Sequence, residues 1–426
     1  MRGPLVLSVI VSLGALIPLA CSSSNQNVGF GDDASTGGGS GGGSGGGSGG
    51  GTGSGSGGVV LMPGNGPDSG IVGDGGFVCA PNPANYDIPG NGCDDDGNGT
   101  VDDTPNCDKG LPTGASMGSA TQMLNAMGLC QASDATHWGI VSATLVGNDG
   151  KSAGSNNFAY QHGILGSFGT AVTPREGSNL GILSSGTADT FDTQDLTLIT
   201  NDNFFKGEKT GMQGGGLGGG GGGTVPAGFP KAAQGCDLAS DVHDVVDLKV
   251  QIKVPANAKG FSFDFDFYSG EWPDYVCSQY NDSFIAYLAS KGFNSGKADN
   301  ISFDSKGNPV SVNIGFFGQC TPGTTLGCAG GGGGGTSVCT AGPTALAGTG
   351  FEDDGMFCGS TNSTGGGATG WLTSTAPVQA AETMSVDFII WDTHDAAYDS
   401  SVLLDNWVWQ PMVVPSTPVT TPSPPK

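Results

Sequence analysis

The sequence predicts an all-β protein, an antiparallel β-sandwich of the jelly-roll or lectin-like type with one short helix. Three observations support this fold class. Several segments alternate strictly between apolar and polar residues, the two-residue period of a strand with one buried face. Turn-rich stretches separate these segments. Only one stretch has clear helical periodicity. Such patterns are typical of antiparallel sheets packed face to face.

The predicted elements follow from these patterns. Residues 247–254, DLKVQIKV, place Leu, Val and Ile on one face. Residues 261–267, FSFDFDF, alternate equally strictly, with Ser262, Asp264 and Asp266 on the polar face. Further strands are predicted at residues 310–316, 384–390, 402–408 and 196–199. The amphipathic stretch 120–129, ATQMLNAMGL, with Gly128 near its end, predicts the helix.

The start of the chain predicts export. Residues 1–20 contain one Arg before a short apolar run, the layout of a signal peptide. Cys21 follows the small residue Ala20, as in the signals of bacterial lipoproteins, so we expect cleavage before Cys21 and lipidation on it. Ser22 favours sorting to the outer membrane or cell surface. An ordinary signal peptide with a chance Cys is the alternative.

The rest of the chain divides by composition. Residues 21–76 form the lipid-attachment site and a Gly/Ser-rich, low-complexity linker that is too polar to bury a core. Residues 77–110 form an acidic segment, and residues 111–410 form the sandwich domain. Residues 411–426 form a Pro/Thr-rich tail, expected to be extended or disordered. The glycine tracts at 214–223 and 330–335 are interpreted as surface loops.

Net charge limits the classes of partner. The chain has a formal net charge of −25, with only 14 Lys and Arg against 39 Asp and Glu. Such a protein repels phosphate backbones and anionic lipid headgroups, so we expect no nucleic-acid partner and no membrane contact beyond the lipid. The same charge favours the binding of cations.

The cysteine count agrees with an oxidising compartment. There are 11 Cys, which leaves an even number for disulfide bonds once Cys21 carries the lipid. Cys93 and Cys107 bracket the acidic motif, and Cys328 and Cys339 bracket a glycine run, so we expect these two local pairs. A zinc site is not indicated, because no CxxC spacing occurs.

The acidic motif at residues 90–103, GNGCDDDGNGTVDD, predicts a calcium loop. Its oxygen-bearing residues stand at alternate positions around Gly99, which permits the sharp turn that lets them converge. The bidentate acid of an EF-hand is absent, because Pro105 occupies that position. We therefore expect a weak Ca²⁺ site, with an Asp/Asn/Gly turn as the alternative. The predicted ligands are Asp94, Asp96, Asn98, Thr100 and Asp102.

A second constellation follows the strand at 261–267. Acids and aromatic rings are interleaved in residues 268–284, YSGEWPDYVCSQYNDSF, at a sheet end where recognition sites tend to lie. The hypothesis is a calcium-supported patch that stacks on a sugar or peptide. The alternative is that the rings close the sandwich edge and the acids cap turns. The predicted ligand-binding residues are Glu271, Trp272, Asp274, Tyr275, Asn281 and Asp282.

A third acidic cluster lies in residues 391–406, WDTHDAAYDSSVLLDN. Asp392, Asp395 and Asp399 cluster with His394 before an apolar run that ends in Asp405 and Asn406. Asp399 and Asp405 are candidates for a second metal site between the sheets, and a solvated loop is the alternative.

The sequence does not predict an enzyme. It contains no GxSxG nucleophile elbow and no HExxH zinc motif, and no His stands in recognisable relation to a nucleophile. A carboxylate-dependent hydrolase remains an alternative, because paired acids are abundant.

Several long motifs in order resemble a known family, the exported bacterial proteins with a choice-of-anchor L domain, frequent in myxobacteria. The resemblance covers residues 77–410. It implies an exported surface protein with a β-sandwich domain and implies no particular activity. The motifs are YDIPGNGCDDDGNGTVDD (86–103), AMGLCQ (126–131), QHGILGSFG (161–169), VTPREGSNLGILSSGTA (172–188), DFDFYSGEWPDYVCSQYNDSFIAYL (264–288), GGATGWLTSTAPV (366–378) and IIWDTHDAAYDSSVLLDNWVW (389–409).

The combined prediction is a surface lipoprotein that works by adhesion or binding. The expected partner is a glycan, a matrix protein or a cell-surface protein, with calcium as a weak cofactor. The alternative is a structural component of the surface that associates with copies of itself.

Overall fold

The structure is a computed structural model. It describes residues 79–103, 105–148, 150, 158–189, 223–304, 306–313, 317–329, 334–352, 366–395 and 398–426. The predicted signal peptide, Cys21, the linker and the predicted strand 196–199 lie outside these residues.

The described residues form two antiparallel sheets, one of eight strands and one of six. The eight-stranded sheet contains β1 (Gly114–Ala115), β3 (His162–Leu165), β4 (Leu180–Ser184), β6 (Gly260–Ser269), β10 (Gly367–Ala368), β11 (Leu372–Pro377), β13 (Ser400–Gln410) and β14 (Val419–Pro422). The six-stranded sheet contains β2 (Gly139–Val146), β5 (Val242–Lys253), β7 (Ser283–Ala289), β8 (Asp299–Asn300), β9 (Val310–Ser311) and β12 (Thr383–Thr393).

Strand order differs from chain order in both sheets. The first sheet runs β1-β3-β4-β13-β6-β11-β14, with β10 paired to β6. The second runs β2-β5-β12-β7-β8, with β9 paired to β7. Strands distant in sequence are therefore neighbours, as in a sandwich with crossing connections. The predicted all-β sandwich with one short α-helix is confirmed within the described residues.

Four predicted strands are present and longer than predicted. Residues 247–254, 261–267, 384–390 and 402–408 lie in β5, β6, β12 and β13. Of the predicted strand 310–316, only Val310–Ser311 form β9, residues 312 and 313 form a turn, and residues 314–316 lie outside the described residues. Its ladder stops where the N–H of Asn313 turns to the Asn281 Oδ1 atom, 3.0 Å away.

The predicted helix is α1, Ala120–Ala126. Ser119 caps its start, since its Oγ atom accepts from the Gln122 N–H while the Gln122 side chain bonds back to the Ser119 N–H. The helix ends earlier than predicted because Gly128 has a φ of 85°, a left-handed conformation that stops a helix.

The core lies between the two sheets. The inner face of β6 carries four fully buried Phe residues, at 261, 263, 265 and 267. The ring of Phe263 meets Phe388 of β12 at a centroid distance of 5.1 Å, and Phe265 meets Phe284 of β7 at 5.2 Å. These contacts join the two sheets face to face.

The prediction of a solvated outer face on β6 is wrong. Ser262, Asp264 and Asp266 are 7%, 1% and 0% exposed. Asp264 accepts hydrogen bonds from the Arg175 Nε atom at 3.1 Å and the Asn406 Nδ2 atom at 3.0 Å. The alternation reports two chemically different faces, and other segments of the chain cover the polar one.

Part of that cover comes from the C-terminal tail. Residues 419–422 form β14 and pair with β11, with Thr421 opposite Thr373. The hydroxyl of Ser423 lies 3.3 Å from the Asp264 Oδ1 atom. The tail was expected to be extended or disordered. It is extended at residues 419–422, where it adds an edge strand to the sheet.

The acidic segment packs on the sandwich. The N–H of Tyr86 donates to the Asn257 Oδ1 atom at 2.9 Å, and the Asn257 Nδ2 atom donates back to the Tyr86 carbonyl at 2.8 Å. The ring of Tyr86 meets Trp138 edge to face at 5.8 Å. These contacts fix the start of the described chain against the domain.

The predicted disulfide pairing is corrected by the structure. Cys93 and Cys107 bond to other partners, and so does Cys339, so neither predicted local pair forms. Two Cys residues that flank a motif in the sequence need not be close in space, and a disulfide requires Cα atoms about 4.4–6.8 Å apart. The observed pairs, with Cα–Cα distances of 5.5, 5.4, 4.6 and 5.1 Å, are Cys79–Cys93, Cys107–Cys130, Cys236–Cys277 and Cys320–Cys339.

Candidate functional site

A layer of acids closes one end of the sandwich. On β5, β7 and β12 the inward alternation of apolar residues continues into an acid at the same end of the sheet: Asp244, Asp282 and Asp392. On the facing sheet, the inward positions end in Glu271 after β6 and Ser400 on β13. We call the following residues the acidic layer: Asp244, Glu271, Asp282, Asp392 and Asp399, each 0–1% exposed.

Asp282 connects the two sheets. Its Oδ2 atom accepts from the hydroxyl of Ser400 on the opposite sheet at 2.8 Å. Its Oδ1 atom accepts from the Thr393 N–H at 3.1 Å, and its own N–H lies 3.4 Å from the Glu271 Oε2 atom. Burial, together with nearby carboxylates, raises the pKa of Asp282 and of Glu271 well above the ordinary range.

Asp392 is the least satisfied member. Both of its side-chain oxygens are buried without a hydrogen bond of normal geometry. Burial raises its pKa well above the ordinary range, and the charges of Asp282, Asp399 and Asp244 raise it further. The Ser185 hydroxyl opposes this only weakly. Buried carboxylates without partners carry a large desolvation cost.

A bulge and an unusual turn lie around Asp392. The β12–β5 register shifts between Ile390 and Asp392, where Trp391 of β12 stands opposite two residues of β5, Asp244 and Val245. The turn beyond β12 has positive φ angles at His394 (83°) and Tyr398 (63°). Left-handed backbone at residues other than glycine costs energy and often marks functional positions.

Half-buried aromatic rings surround the entrance to the acidic layer. Tyr275 meets Tyr280 at a centroid distance of 5.1 Å and Tyr398 at 5.6 Å. Tyr280 meets the ring of His394 at 5.0 Å. We call these four residues the tyrosine patch. Burial, followed by the neighbouring Tyr398 and the carboxylates, raises the pKa of Tyr275, so its hydroxyl stays protonated at neutral pH.

The structure separates the predicted ligand-binding residues into two groups. Only Tyr275 is half-exposed. Trp272 is 6% exposed and stacks on Phe317 at a centroid distance of 4.2 Å, inside the core. Asp274 is 6% exposed, and Asn281 is fully buried with its Oδ1 atom bonded to the Asn313 N–H. Glu271 and Asp282 belong to the acidic layer.

The predicted calcium loop is folded around its own acids. The Asp94 carboxylate accepts from the backbone N–H groups of Gly97, Asn98 and Gly99 at 2.8–3.1 Å. The Asp102 Oδ1 atom accepts from the N–H groups of residues 91 and 92 at 3.0 and 3.1 Å. Such bonds from carboxylate to backbone are those of an Asx turn, and the same turns shape calcium loops.

Of the remaining predicted ligands, Asn98 and Thr100 are exposed and Asp96 is half-buried. The Asn98 Nδ2 atom donates to Asp96 at 3.0 Å and to Asp103 at 3.2 Å, and the Thr100 N–H donates to the Asn98 Oδ1 atom at 2.8 Å. Desolvation by neighbouring atoms raises the pKa of Asp96. In the described part of the chain, no three or more His, Cys, Asp and Glu side chains are arranged to hold a metal ion.

The two candidates for a second metal site, Asp399 and Asp405, lie in different places. Asp399 lies just before β13, in the acidic layer, whereas Asp405 pairs with Asp264 within that strand. Six residues of strand span roughly 20 Å. The Asp405 Oδ2 atom accepts from the Arg175 N–H at 2.6 Å, and burial raises the pKa of Asp405 to about 8. One ion cannot bind both acids.

Strands β6, β7 and β12, the acidic layer and the tyrosine patch all lie in the chain between the start of β5 and the end of β13. Residues 244–407 match the family model of the Choice-of-anchor L domain. The match begins at the first residue of the acidic layer and ends within β13. It is shorter than the resemblance over residues 77–410, and it leaves out the loop at 90–103. The Choice-of-anchor L match indicates a surface-associated β-domain of an exported protein.

Searches of curated proteins and of solved structures give no significant match to this chain. In the described residues, no helix has the length and apolarity needed to span a membrane. The Choice-of-anchor L match and the all-β fold indicate a surface protein.

The sequence alone indicated some members of the acidic layer and not others. Asp244 was missed, and Asp392 was grouped only with acids nearby in sequence. A usable signal exists, because each follows the inward alternation of its strand at the point where the apolar residues end. The grouping of Asp244 with Asp392 also required the strand order, which the sequence does not state.

Proposed function

We propose that this protein is a surface-displayed lipoprotein whose β-sandwich domain binds a glycan, with calcium supporting the domain. The observation that carries the proposal is the tyrosine patch, formed by Tyr275, Tyr280, His394 and Tyr398 at one end of the sandwich. Half-exposed aromatic rings bury a large area at low entropy cost and stack on sugar faces.

The patch rests on a stiff base, which favours binding. The Cys236–Cys277 disulfide ties the loop carrying Tyr275 to the segment that precedes β5. Trp272, in the same loop, is anchored in the core by its stacking on Phe317. A patch held in place before the ligand arrives loses less entropy on binding.

The anchor assigned to Cys21 would hold this domain at the membrane, and the Gly/Ser-rich linker would give it reach. The apolar run before Cys21 supports this part of the proposal. Cys21→Ser should abolish metabolic labelling of the protein with palmitate, because the lipidated thiol is gone. Persistent labelling of the variant with palmitate would show that Cys21 is not the lipidated residue.

Calcium support is proposed for the loop containing Asp94, Asp96, Asn98, Thr100 and Asp102. The loop packs beside the sandwich through Tyr86, so ion binding there would stabilise the start of the domain. We expect an affinity on the order of 10⁻⁴–10⁻³ M, as in extracellular calcium modules.

The test is a glycan array probed with the protein in calcium and in EDTA. We expect the wild-type protein to bind a glycan in calcium. Affinity should fall at least tenfold in Tyr275→Ala and in Tyr398→Ala, because each change removes a stacking interaction of about 1–3 kcal/mol, by analogy with base stacking. Tyr287→Ala is the matched control, because Tyr287 packs on Phe229 at the outer face of the six-stranded sheet. Asp94→Ala with Asp96→Ala should reduce the effect of calcium.

Silence of the wild-type protein across a broad array would overturn the glycan assignment. Binding of this protein to a matrix or cell-surface protein would show that its partner is a protein and not a glycan. Calcium-dependent self-association in sedimentation, with no other partner, would instead support the structural role.

A further inference from the structure

The acidic layer brings several acids together in the interior of the domain. Its five carboxyl groups are almost fully buried. The charges that act most strongly on Glu271, Asp282 and Asp392 come from other acids rather than from Lys or Arg. Either these acids are protonated or a cation binds beside them, because burying several ionised carboxylates without an opposite charge costs too much desolvation energy.

Asp392 provides an independent sign of a missing partner. It is 0% exposed, and both its oxygens are buried without a hydrogen bond of normal geometry. Its inward position on β12 directs it to the same end of the core as Asp282, whose charge acts on it most strongly. The carboxyl group of Asp392 lies within reach of that of Asp282, so the two acids can share either a proton or a cation.

We propose that a divalent cation, best fitted by Ca²⁺, binds between the two sheets with Asp282 and Asp392 as its carboxylate ligands. Calcium accepts hydroxyl, carbonyl and water oxygens as readily as carboxylates, at 2.3–2.6 Å and in irregular geometry. Two acids and neutral oxygens, such as the Ser400 hydroxyl, therefore suffice. The described side chains do not already converge as three acidic ligands, so binding requires them to close on the ion.

The position gives the ion a structural effect. Asp282 and Asp392 belong to the six-stranded sheet, and Ser400 to the eight-stranded sheet. An ion between them joins the sheets where the apolar core ends. It also fixes both ends of the turn from His394 to Asp399, which carries Tyr398 of the tyrosine patch.

The test is calcium titration of the purified full chain by equilibrium dialysis. The loop variant, Asp94→Ala with Asp96→Ala, removes the other proposed site and should still bind Ca²⁺. Adding Asp392→Asn to that variant should weaken the remaining affinity at least about tenfold, as even outer-shell changes do at metal sites. Asp282→Asn should do the same. Asp387→Asn is the matched control, because Asp387 lies on the same strand and pairs with Lys249 at 3.1 Å.

Loss of all calcium binding in the folded loop variant would overturn the proposal, and so would unchanged affinity in both Asn variants. If the Asn variants fail to fold, the loop variant alone decides. The proposal needs no ligand at the tyrosine patch. A silent glycan array combined with calcium binding by the loop variant would refute the proposed function and leave this site standing.

Discussion

Trp272→Ala is expected to lower the free energy of unfolding by about 3–5 kcal/mol, the usual cost of removing a buried aromatic side chain. Trp272 is 6% exposed, and its ring lies parallel to Phe317, with an interplanar angle of 5°. Gly367 of β10 lies so close to the indole that a Cβ there would clash with it. The alanine variant therefore leaves a cavity that the neighbouring backbone cannot readily fill.

Denaturant unfolding with the disulfides intact would measure this effect. Tyr275→Ala, three residues along the same loop, is the comparison. Tyr275 is half-buried, so we expect its truncation to cost only about 1 kcal/mol. In glycan binding the order should reverse, because Tyr275→Ala removes a stacking ring, whereas Trp272→Ala only loosens the base of the patch. A stable Trp272→Ala protein that loses as much binding as Tyr275→Ala would contradict this order.

The stability of the domain is expected to fall as the pH rises from about 4 to about 8. Asp266 is fully buried, and burial raises its pKa from 3.8 to about 7. The Thr369 hydroxyl and the Tyr268 hydroxyl, each 3.2 Å from its carboxyl, only partly oppose this shift. Burial and the charge of Asp387 raise the pKa of Asp247 to about 7 as well, although Lys249 opposes this.

The sign follows from proton binding. Between the unfolded and folded pKa of Asp266, the folded protein keeps a proton that the unfolded chain has released. The unfolded state therefore binds fewer protons, and the free energy of unfolding decreases with rising pH. At 1.36 kcal/mol for each pKa unit, Asp266 alone accounts for roughly 4 kcal/mol across this window.

Asp266→Asn should remove that share of the pH dependence, because the amide keeps an acceptor and does not ionise. Unfolding by urea at pH 4.5 and at pH 8 would measure it. Asp299→Asn is the control, since Asp299 is exposed at the edge strand β8. An Asp266→Asn variant with the wild-type difference between the two pH values would contradict the assignment.

The strands of the sandwich could be predicted because each carries its own evidence. Alternation in β5, β6, β12 and β13 is a local property, set by which side of the pleat each residue occupies. The capping residues of α1 are equally local. The ends of the strands could be predicted less well, because a ladder ends where another part of the chain offers better hydrogen bonds. Strand β9 is an example.

The disulfides and the cover over β6 could not be predicted. Cys93 bonds to Cys79 rather than to Cys107, because residues 79–82 fold back along the acidic motif, where the Asn82 N–H meets the Asp95 carbonyl at 2.9 Å. The outer face of β6 is covered by segments that precede and follow it in the chain, such as those of Arg175 and Ser423, which both contact Asp264. Neither arrangement has a pattern within a single stretch of sequence.

The amino-acid sequence by itself determined the fold class, the main strands and the acidic character of this protein, because alternation and charge are written residue by residue. It also pointed to the loop that carries Glu271 and Tyr275. Only the tertiary structure decided that Trp272 is a core residue, that Tyr275 faces outward with Tyr398, and that Asp244, Asp282 and Asp392 share one end of the core. Strand order brings those acids together, and strand order depends on contacts between residues far apart in the chain.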